Sequence, residues 1–544
     1  VRDRPSKPIF DHKILWYDKN YIYYRTDAET AKELDGTWIF QRKAYRVYIS
    51  LEAIQELEDT DFDIEKLIPL KNKLLEERKA GQSVKYTDKV NEIDKRLRPY
   101  QQVDVDFISR RTNAGVFNEQ RTGKTPTTLI SVRDDASIII VCPAGLKLNW
   151  KNEIKTWLNR DDVYIIKGTP TTRRRLYRTW KKESTGIVIV SYETLRADIE
   201  WLESTMKFGR KVFTLVADEV HRLRNYRTKQ SRALYKTRKY AKKVYALTGT
   251  PAVNHPSDVF GILKLLRPDK FTSYWQFVER FFTVRDGYFA KEVAGIKEER
   301  REELANLLAD VSVNRKRKEV MQWIPKVMKK TILLEFDNKQ EKHYTKATRE
   351  FLFGDNIEIP NPLALLTRLR QICADPALLD LEGESPKTKF IKEFLNDNTE
   401  SIIIFSSFTS YLLTLHSSIE GSVLLTGQQT QAEKDRNIKA FQSGKARVLL
   451  ANIKAGGVGF TLDKADTIIF TDRSYNPVDN DQAADRFIPT RKDKVYGAKQ
   501  IIDLVMQNSV ESGINKLLEK KQNIISYVND YSEKGLVKLV QNEL

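Results

Sequence analysis

Between Leu97 and Leu247 the chain repeats one pattern, a short β-branched apolar run followed by an amphipathic stretch. The runs are ASIIIVC at 136–142, GIVIV at 186–190, VFTLVA at 212–217 and VYAL at 244–247. Apolar runs this short, with no polar alternation, suit strands covered on both faces, and their alternation with helical stretches predicts a parallel sheet wrapped by helices. The pattern returns beyond Lys389 at SIIIF (401–405), SVLL (422–425), ARVLL (446–450), TIIF (467–470) and KQIIDL (499–504). Two α/β sheet domains are therefore expected, which suits a chain of 544 residues, too long for one hydrophobic core.

The remaining segments read differently. Residues 14–24 and 38–49 are aromatic and β-branched and predict strands, and Leu51–Glu58 predicts a helix, giving a small α+β module over residues 1–62. Its Arg42, Lys43, Tyr45, Arg46 and Tyr48 interleave basic and stacking groups as a nucleic-acid surface does, although strand aromatics more often build a core. Residues 63–96 turn to Lys, Glu and Leu at helical spacing, a linker. The first sheet domain is placed at 97–267 and the second at 386–510. Between them, 268–385 carries SYWQFVERFF and a highly charged run, read as projecting helices and an inter-lobe segment; 511–544 is read as a helical brace.

Chemistry is carried by a few stretches. NEQRTGKT (118–125) ends in the Gly-Lys-Thr of a phosphate-binding loop: Gly123 admits phosphate to backbone N–H groups, Lys124 meets the outer phosphates and the Thr125 hydroxyl ligates Mg²⁺. Asn118 stands where that motif has its first Gly, and Asn is the next most tolerant residue at positive φ. Asp218-Glu219-Val220-His221 follows an apolar strand, placing Asp218 to hold Mg²⁺ and Glu219 to orient and deprotonate the attacking water. LTGTP with Asn254 follows another strand, and Gln101 in LRPYQ offers an amide to an adenine edge. In the second domain, KAGGVG (454–459) is a Gly-rich turn. DQAADR (481–486) opens a helix whose Arg486 suits an arginine finger.

The order LRPYQ, NEQRTGKT, CPAGLKLNW, SYET, DEVH, LTGTP, FSSF, TGQQT, KAGGVG, DQAADR resembles superfamily-two helicase motors and, within them, the Swi/Snf-like DNA translocases. DEVHRLRN, LRQICADPALL and IIFTDRSYNPVDNDQAADR add to the resemblance, which covers roughly residues 97–525. It implies two RecA-like lobes. Gln101, Gln120, Thr122, Gly123, Lys124 and Thr125 would bind ATP, Thr125 and Asp218 would hold Mg²⁺, and Gln482 and Arg486 would complete the site from the second lobe. Lys147, Asn149, Trp150, Ser191, Tyr192, Ser406, Thr426, Gly427, Asn452, Lys454 and Gly456 would face DNA. The chain departs from the family pattern at Asn118–Arg121, at Ile453 where Thr is usual, and at Pro489 where a second arginine is usual; Arg491 is the candidate substitute.

Ninety-three Lys and Arg against 74 Asp and Glu give a net charge of +19, which favours a polyanionic partner. Double-stranded DNA, gripped through its backbone without sequence preference, is the expected one, with protein partners possible through the N-terminal module. Two cysteines far apart indicate neither a disulfide framework nor a cysteine-based zinc site, and no membrane-length apolar run occurs. An intracellular, DNA-associated protein is expected, in a bacterial or virus-infected cytoplasm rather than a nucleus. The expected activity is an ATP-dependent translocase. The alternatives are a strand-separating or annealing helicase on DNA or RNA, and an ATP-switched DNA-binding protein that does not hydrolyse.

Overall fold

The computed structural model describes residues 15–17, 21–26, 30–31, 34, 37–39, 42–49, 51–60, 62–82, 92–206, 213–251, 256–286, 291–353, 362–456, 461–489 and 497–515. The described residues divide into two compact units between Lys316 and Arg317, with Gln120–Thr122 grouped with the second.

The first unit opens with an antiparallel sheet of β1 (Leu15–Tyr17), β2 (Tyr21–Tyr24), β3 (Thr37–Ile39) and β4 (Ala44–Tyr48), in the order β1-β2-β4-β3, followed by the helix Leu51–Asp59. Strand alternation splits the aromatics. Ile22 and Tyr24 enter a core with Leu15, Val47, Ile54 and Leu57. Tyr21 and Tyr23 lie on the other face, with the guanidinium groups of Arg46 and Arg42 each 4.2 Å from a ring centroid. That face is docked: Tyr21 is buried, and its hydroxyl donates to Gln276 Oε1 at 2.7 Å.

The first large sheet contains β5 (Asn113–Val116), β6 (Ser137–Cys142), β7 (Val163–Ile165), β8 (Gly186–Ser191), β9 (Phe213–Asp218) and β10 (Ala241–Leu247). After it come the helix Tyr274–Phe281, an antiparallel hairpin of β11 (Phe282–Asp286) and β12 (Lys291–Ile296), and the helix Arg301–Val311. The hairpin corrects the expectation of helices alone; its β-branched and aromatic positions are diluted by Lys and Glu. Within this projection Arg280 and Glu303 form a buried ion pair at 2.8 Å. Strand β13 (Ser312–Val313) then returns to the sheet, whose order is β13-β5-β10-β9-β6-β8-β7, all parallel. Strands β5, β7 and β13 escaped the sequence pattern because they are short and only partly apolar.

The second unit is a parallel sheet of β14 (Val327–Leu334), β15 (Ile402–Ser406), β16 (Val423–Leu425), β17 (Val448–Asn452), β18 (Thr467–Phe470) and β19 (Lys499–Met506), in the order β14-β19-β18-β15-β17-β16. Strand β14 lies inside the stretch expected to be an inter-lobe segment. It is an edge strand with two lysines and mostly exposed side chains, so it lacks the buried-strand signature. Both large sheets are covered on two faces, and successive residues serve opposite cores: Ile139 and Val141 one, Ile138 and Ile140 the other; Ile403 and Phe405 one, Ile402 and Ile404 the other. Each such side chain contributes about 1.5–3 kcal/mol of burial, which fixes register firmly. Cys142 and Cys373 are free and buried, and among the described residues no helix is long and apolar enough to cross a membrane.

One glycine holds the acidic end of β9 in place. In the helix Val259–Leu266 a Cβ on Gly261 would sit 2.1 Å from the Leu223 carbonyl oxygen, so the helix seats directly on the turn Val220–Leu223. Gly261→Ala is expected to lower stability by about 1–3 kcal/mol, read as a lower midpoint in thermal denaturation. An unchanged midpoint would show that this contact does not fix the turn.

Candidate functional site

The loop between β5 and the helix Lys124–Ser131 owes its shape to side chains that the motif alone does not name. Asn118 is fully buried, and its Nδ2 donates to Asp104 Oδ2 at 2.7 Å; Asp104 is paired with Arg315, Nη2 to Oδ1 at 2.7 Å. Burial pushes the Asp104 carboxyl up, and Arg315 and Asn118 oppose it. Asn118 is thus an anchor, and the positive φ expected there falls instead on Arg121 (φ 69°) and Gly123 (φ 83°). Gly123 caps the helix in the left-handed region, and a Cβ on it would meet Gln101 Nε2 at 2.2 Å. Gln101 is buried, with its Oε1 accepting from Arg98 N at 2.8 Å, so its amide props the loop. Lys124 Nζ donates to the carbonyl oxygens of Asn118 (3.0 Å) and Glu119 (3.3 Å). Gln120, Gly123 and Thr125 are partly exposed; Thr122 is buried.

The acidic pair sits at the carboxyl end of β9. Asp218 is buried: its Oδ2 accepts from Trp150 Nε1 at 2.9 Å, its Oδ1 accepts from Glu219 N at 2.9 Å, and its carbonyl accepts from Tyr192 Oη at 2.6 Å. Burial and the Glu219 charge push its carboxyl up to about 6, against the pull of the Trp150 hydrogen bond and the Lys124 charge. Lys124 and Asp218 therefore share one electrostatic environment within the first unit. Glu219 holds φ 53°, a strained conformation for a branched-free acid, and strain of this kind collects at functional sites. Its Oε2 lies 3.1 Å from His221 Nδ1, which lies 3.3 Å from Thr248 Oγ1; that oxygen accepts from Thr250 N at 3.1 Å. DEVH and TGTP are thereby joined. Asn254 lies outside the described residues.

These residues fit a magnesium nucleotide. Left-handed Gly123 at a helix start suits phosphate, the buried Thr250 hydroxyl has no hydrogen-bond partner among the described residues, and Asp218 offers the hard oxygen that a divalent cation such as Mg²⁺ prefers. Among the described residues no three His, Cys, Asp or Glu side chains converge, so the protein ligands would be Thr125 and Asp218.

In the second unit Gln482 lies in the helix Pro477–Asp485, which Asn476 caps by accepting from Val478 N at 3.3 Å. Arg486 is the partly buried C-cap, and Asp485 pairs with Arg317 at 2.6 Å. Arg491 lies outside the described residues, as do residues 457–460 and most of the expected brace.

The residues expected to face nucleic acid fall into two groups. Lys147, Asn149 and Asn452 are partly exposed, Gly427 and Lys454 are exposed, and Gly456 ends the helical turn Ile453–Gly456. Burial pushes the Lys147 ammonium down, and its Nζ donates to Ile166 O at 3.2 Å. Trp150, Ser191, Tyr192, Ser406 and Thr426 are buried. Trp150 and Tyr192 serve Asp218, Ser191 accepts from Thr194 N at 3.2 Å, and Ser406 donates to Asp472 at 2.6 Å. Sequence reasoning missed Asp104, Arg315 and the role of Trp150. A tryptophan in a polar motif is a signal that its N–H has a buried acceptor; nothing local signalled the other two.

A family model described as the SNF2-related domain matches residues 27–378, and one described as the helicase conserved C-terminal domain matches 386–488. The chain is 26% identical to the uncharacterized ATP-dependent helicase MG018 of Mycoplasma genitalium, over 94% of this chain and 50% of that protein. It is 23% identical to the human DNA annealing helicase and endonuclease ZRANB3, over 72% of this chain and 37% of that protein. The chain thus spans half or less of the length of these curated relatives. A solved structure of the Sulfolobus solfataricus SWI2/SNF2 ATPase core in complex with dsDNA aligns with 85% of this chain and 98% of its own, at 22% identity and a TM-score of 0.38.

Trp150→Phe keeps the packing and removes the N–H that favours the Asp218 carboxylate. Loss of a hydrogen bond to a charged group should raise the pH midpoint for magnesium-nucleotide binding by about one unit, measured by fluorescent-nucleotide titration across pH. An unmoved midpoint would remove Trp150 from the site's electrostatics.

Proposed function

Since the chain belongs to the SNF2-related domain family, we propose that it is an ATP-driven motor that moves along double-stranded DNA. The observation that carries this reading is the buried Asp218, followed by Glu219, at the carboxyl end of β9, in the same unit as the Gly123–Lys124 loop whose lysine charge acts on the Asp218 carboxylate. Gly123 and Lys124 bind the phosphates, Thr125 and Asp218 hold Mg²⁺, and Gln101, Gln120 and Thr122 shape the loop. Mg²⁺ held by these residues would supply positive charge against the transferring phosphoryl group. Glu219, oriented by His221, takes the proton of the attacking water. In the second unit, Gln482 and Arg486 stand where the family pattern has its polar and cationic nucleotide-site groups.

Duplex recognition rests on the cationic surplus of the chain and on Lys147, Asn149, Asn452 and Lys454, whose exposure allows phosphate contact. Such contacts carry no sequence information and weaken steeply with salt. The relatives' printed names, an annealing helicase and an ATP-dependent helicase, support a DNA-coupled ATPase.

ATPase turnover measured with duplex DNA, single-stranded DNA and RNA tests the reading. Duplex DNA should stimulate most, Lys124→Ala should abolish hydrolysis, and Glu219→Gln should bind nucleotide but turn over about 10²–10⁴-fold more slowly. Stimulation by single strands or RNA alone, or none by duplex DNA, would overturn it.

A further inference from the structure

The second unit contains two fully buried ion pairs that none of the assigned roles uses. Arg370, on the helix Pro362–Ala374, pairs with Asp472 at 2.8 Å, and Lys387, on the helix Pro386–Asp397, pairs with Glu511 at 2.7 Å. Buried pairs gain little stability over apolar packing of the same volume, so geometry rather than energy is the reason to look for.

Both pairs close on one short turn. Asp472 follows β18 by two residues; Lys387 Nζ donates to the Thr471 carbonyl at 2.5 Å, and Arg370 Nη2 donates to the Arg473 carbonyl at 2.6 Å. The backbone on both sides of Asp472 is therefore clamped. The Arg370 guanidinium lies 4.5 Å from the Tyr475 ring centroid and 5.4 Å from that of Phe408, which leaves it a single orientation. Burial alone would push the Asp472 carboxyl up; Arg370, Ser406 and Ser407 outweigh it and hold it below the usual range.

From that carboxylate a continuous path of hydrogen bonds runs to the surface. Asp472 Oδ1 accepts from Ser406 Oγ at 2.6 Å and from Ser407 N at 3.0 Å, at the end of β15. The Ser407 carbonyl accepts from Asn452 Nδ2 at 3.1 Å, and the same amide donates to Thr409 Oγ1 at 3.2 Å. Asn452 Oδ1 in turn accepts from Lys454 N at 3.1 Å, fixing the start of the turn that carries the exposed Lys454. Ser406 and Asn452 are register partners on adjacent strands, so the path crosses the sheet at its carboxyl edge.

We infer that Arg370 is a positioning residue for the duplex-facing loop of the second unit, setting the Ser407–Asn452–Lys454 path through Asp472 so that Lys454 meets a DNA phosphate. This rests on the proposed duplex DNA substrate and adds to it a residue buried away from every surface. Its Nη2 reaches both the carboxylate and a carbonyl while the delocalised guanidinium lies within cation–π range of Tyr475 and Phe408, and a lysine ammonium keeps the charge without that delocalised plane.

The test measures duplex DNA affinity by fluorescence anisotropy across salt for the wild type, Arg370→Lys, Lys454→Ala and the double variant, with thermal midpoints recorded for each. Arg370→Lys should weaken binding about 5–10-fold and lower the log-affinity against log-salt slope by about one, the loss of one phosphate contact. Lys454→Ala should do the same, and the double variant should bind no more weakly than either, because both remove one contact. Should Arg370→Lys prove too unstable, Asp472→Asn, which keeps shape and an acceptor, reads the same path. Additive losses, or a lowered thermal midpoint with unchanged affinity and slope, would overturn the positioning role while leaving the motor reading intact. A wild type that binds no duplex DNA would overturn both.

Discussion

A carboxylate buried at the end of a strand, with no arginine against it, is the constraint on which the first unit turns. Asp218 is held by an indole N–H, a backbone N–H and the distant pull of Lys124, and it stands next to Glu219. Burial and the neighbouring Glu219 charge penalise its ionised form, and among the described residues no cation is paired directly with it, so its carboxyl is pushed up from the ordinary value. The surrounding architecture serves that position. Apolar strand β9 carries it to the sheet edge, Trp150 and Tyr192 close over it, and Gly261 lets a helix seat on the turn behind it.

The second sheet places a carboxylate in a comparable position, just past β18, and treats it in the opposite way. Asp472 has Arg370 in direct contact, two serine donors around it and Lys387 nearby, and its carboxyl is driven down. The same topology thus yields two kinds of acid. One is left short of positive charge and is suited to receive a cation; the other is saturated and is suited to hold a loop. Each is built on the carboxyl ends of parallel strands, where an open α/β sheet presents its ligand-binding loops.

Much of this was legible in the chain. The central strands of both sheets are continuous β-branched runs, and the observed elements fall within a residue or two of them except at β10. The outer strands were not legible, because Asn113–Val116 and Ser312–Val313 are too short and β14 too lysine-rich to stand out from loops. Within the site, Lys124, Asp218 and Glu219 are readable because phosphate and metal chemistry demand those groups at that spacing. Trp150, Ser191, Tyr192, Ser406 and Thr426 share motifs with surface residues, and only burial separates the side chains that face outward from those that brace them. Asp104 with Arg315, and Arg370 with Asp472, are separated by 211 and 102 residues, and no local pattern couples partners so far apart.

The central claim is that Asp218 is the group on which a magnesium nucleotide closes, and proton release on binding tests it most directly. Because burial and the Glu219 charge raise the Asp218 carboxyl above its ordinary value, it carries a proton at mildly acidic pH that it must lose to ligate a cation. Calorimetric titration with magnesium nucleotide in two buffers of different ionisation enthalpy, referenced to Asp218→Asn, should show more proton release at pH 6 than at pH 8. Affinity should fall with pH below about 6. Equal proton release by wild type and Asp218→Asn at pH 6 would contradict the claim.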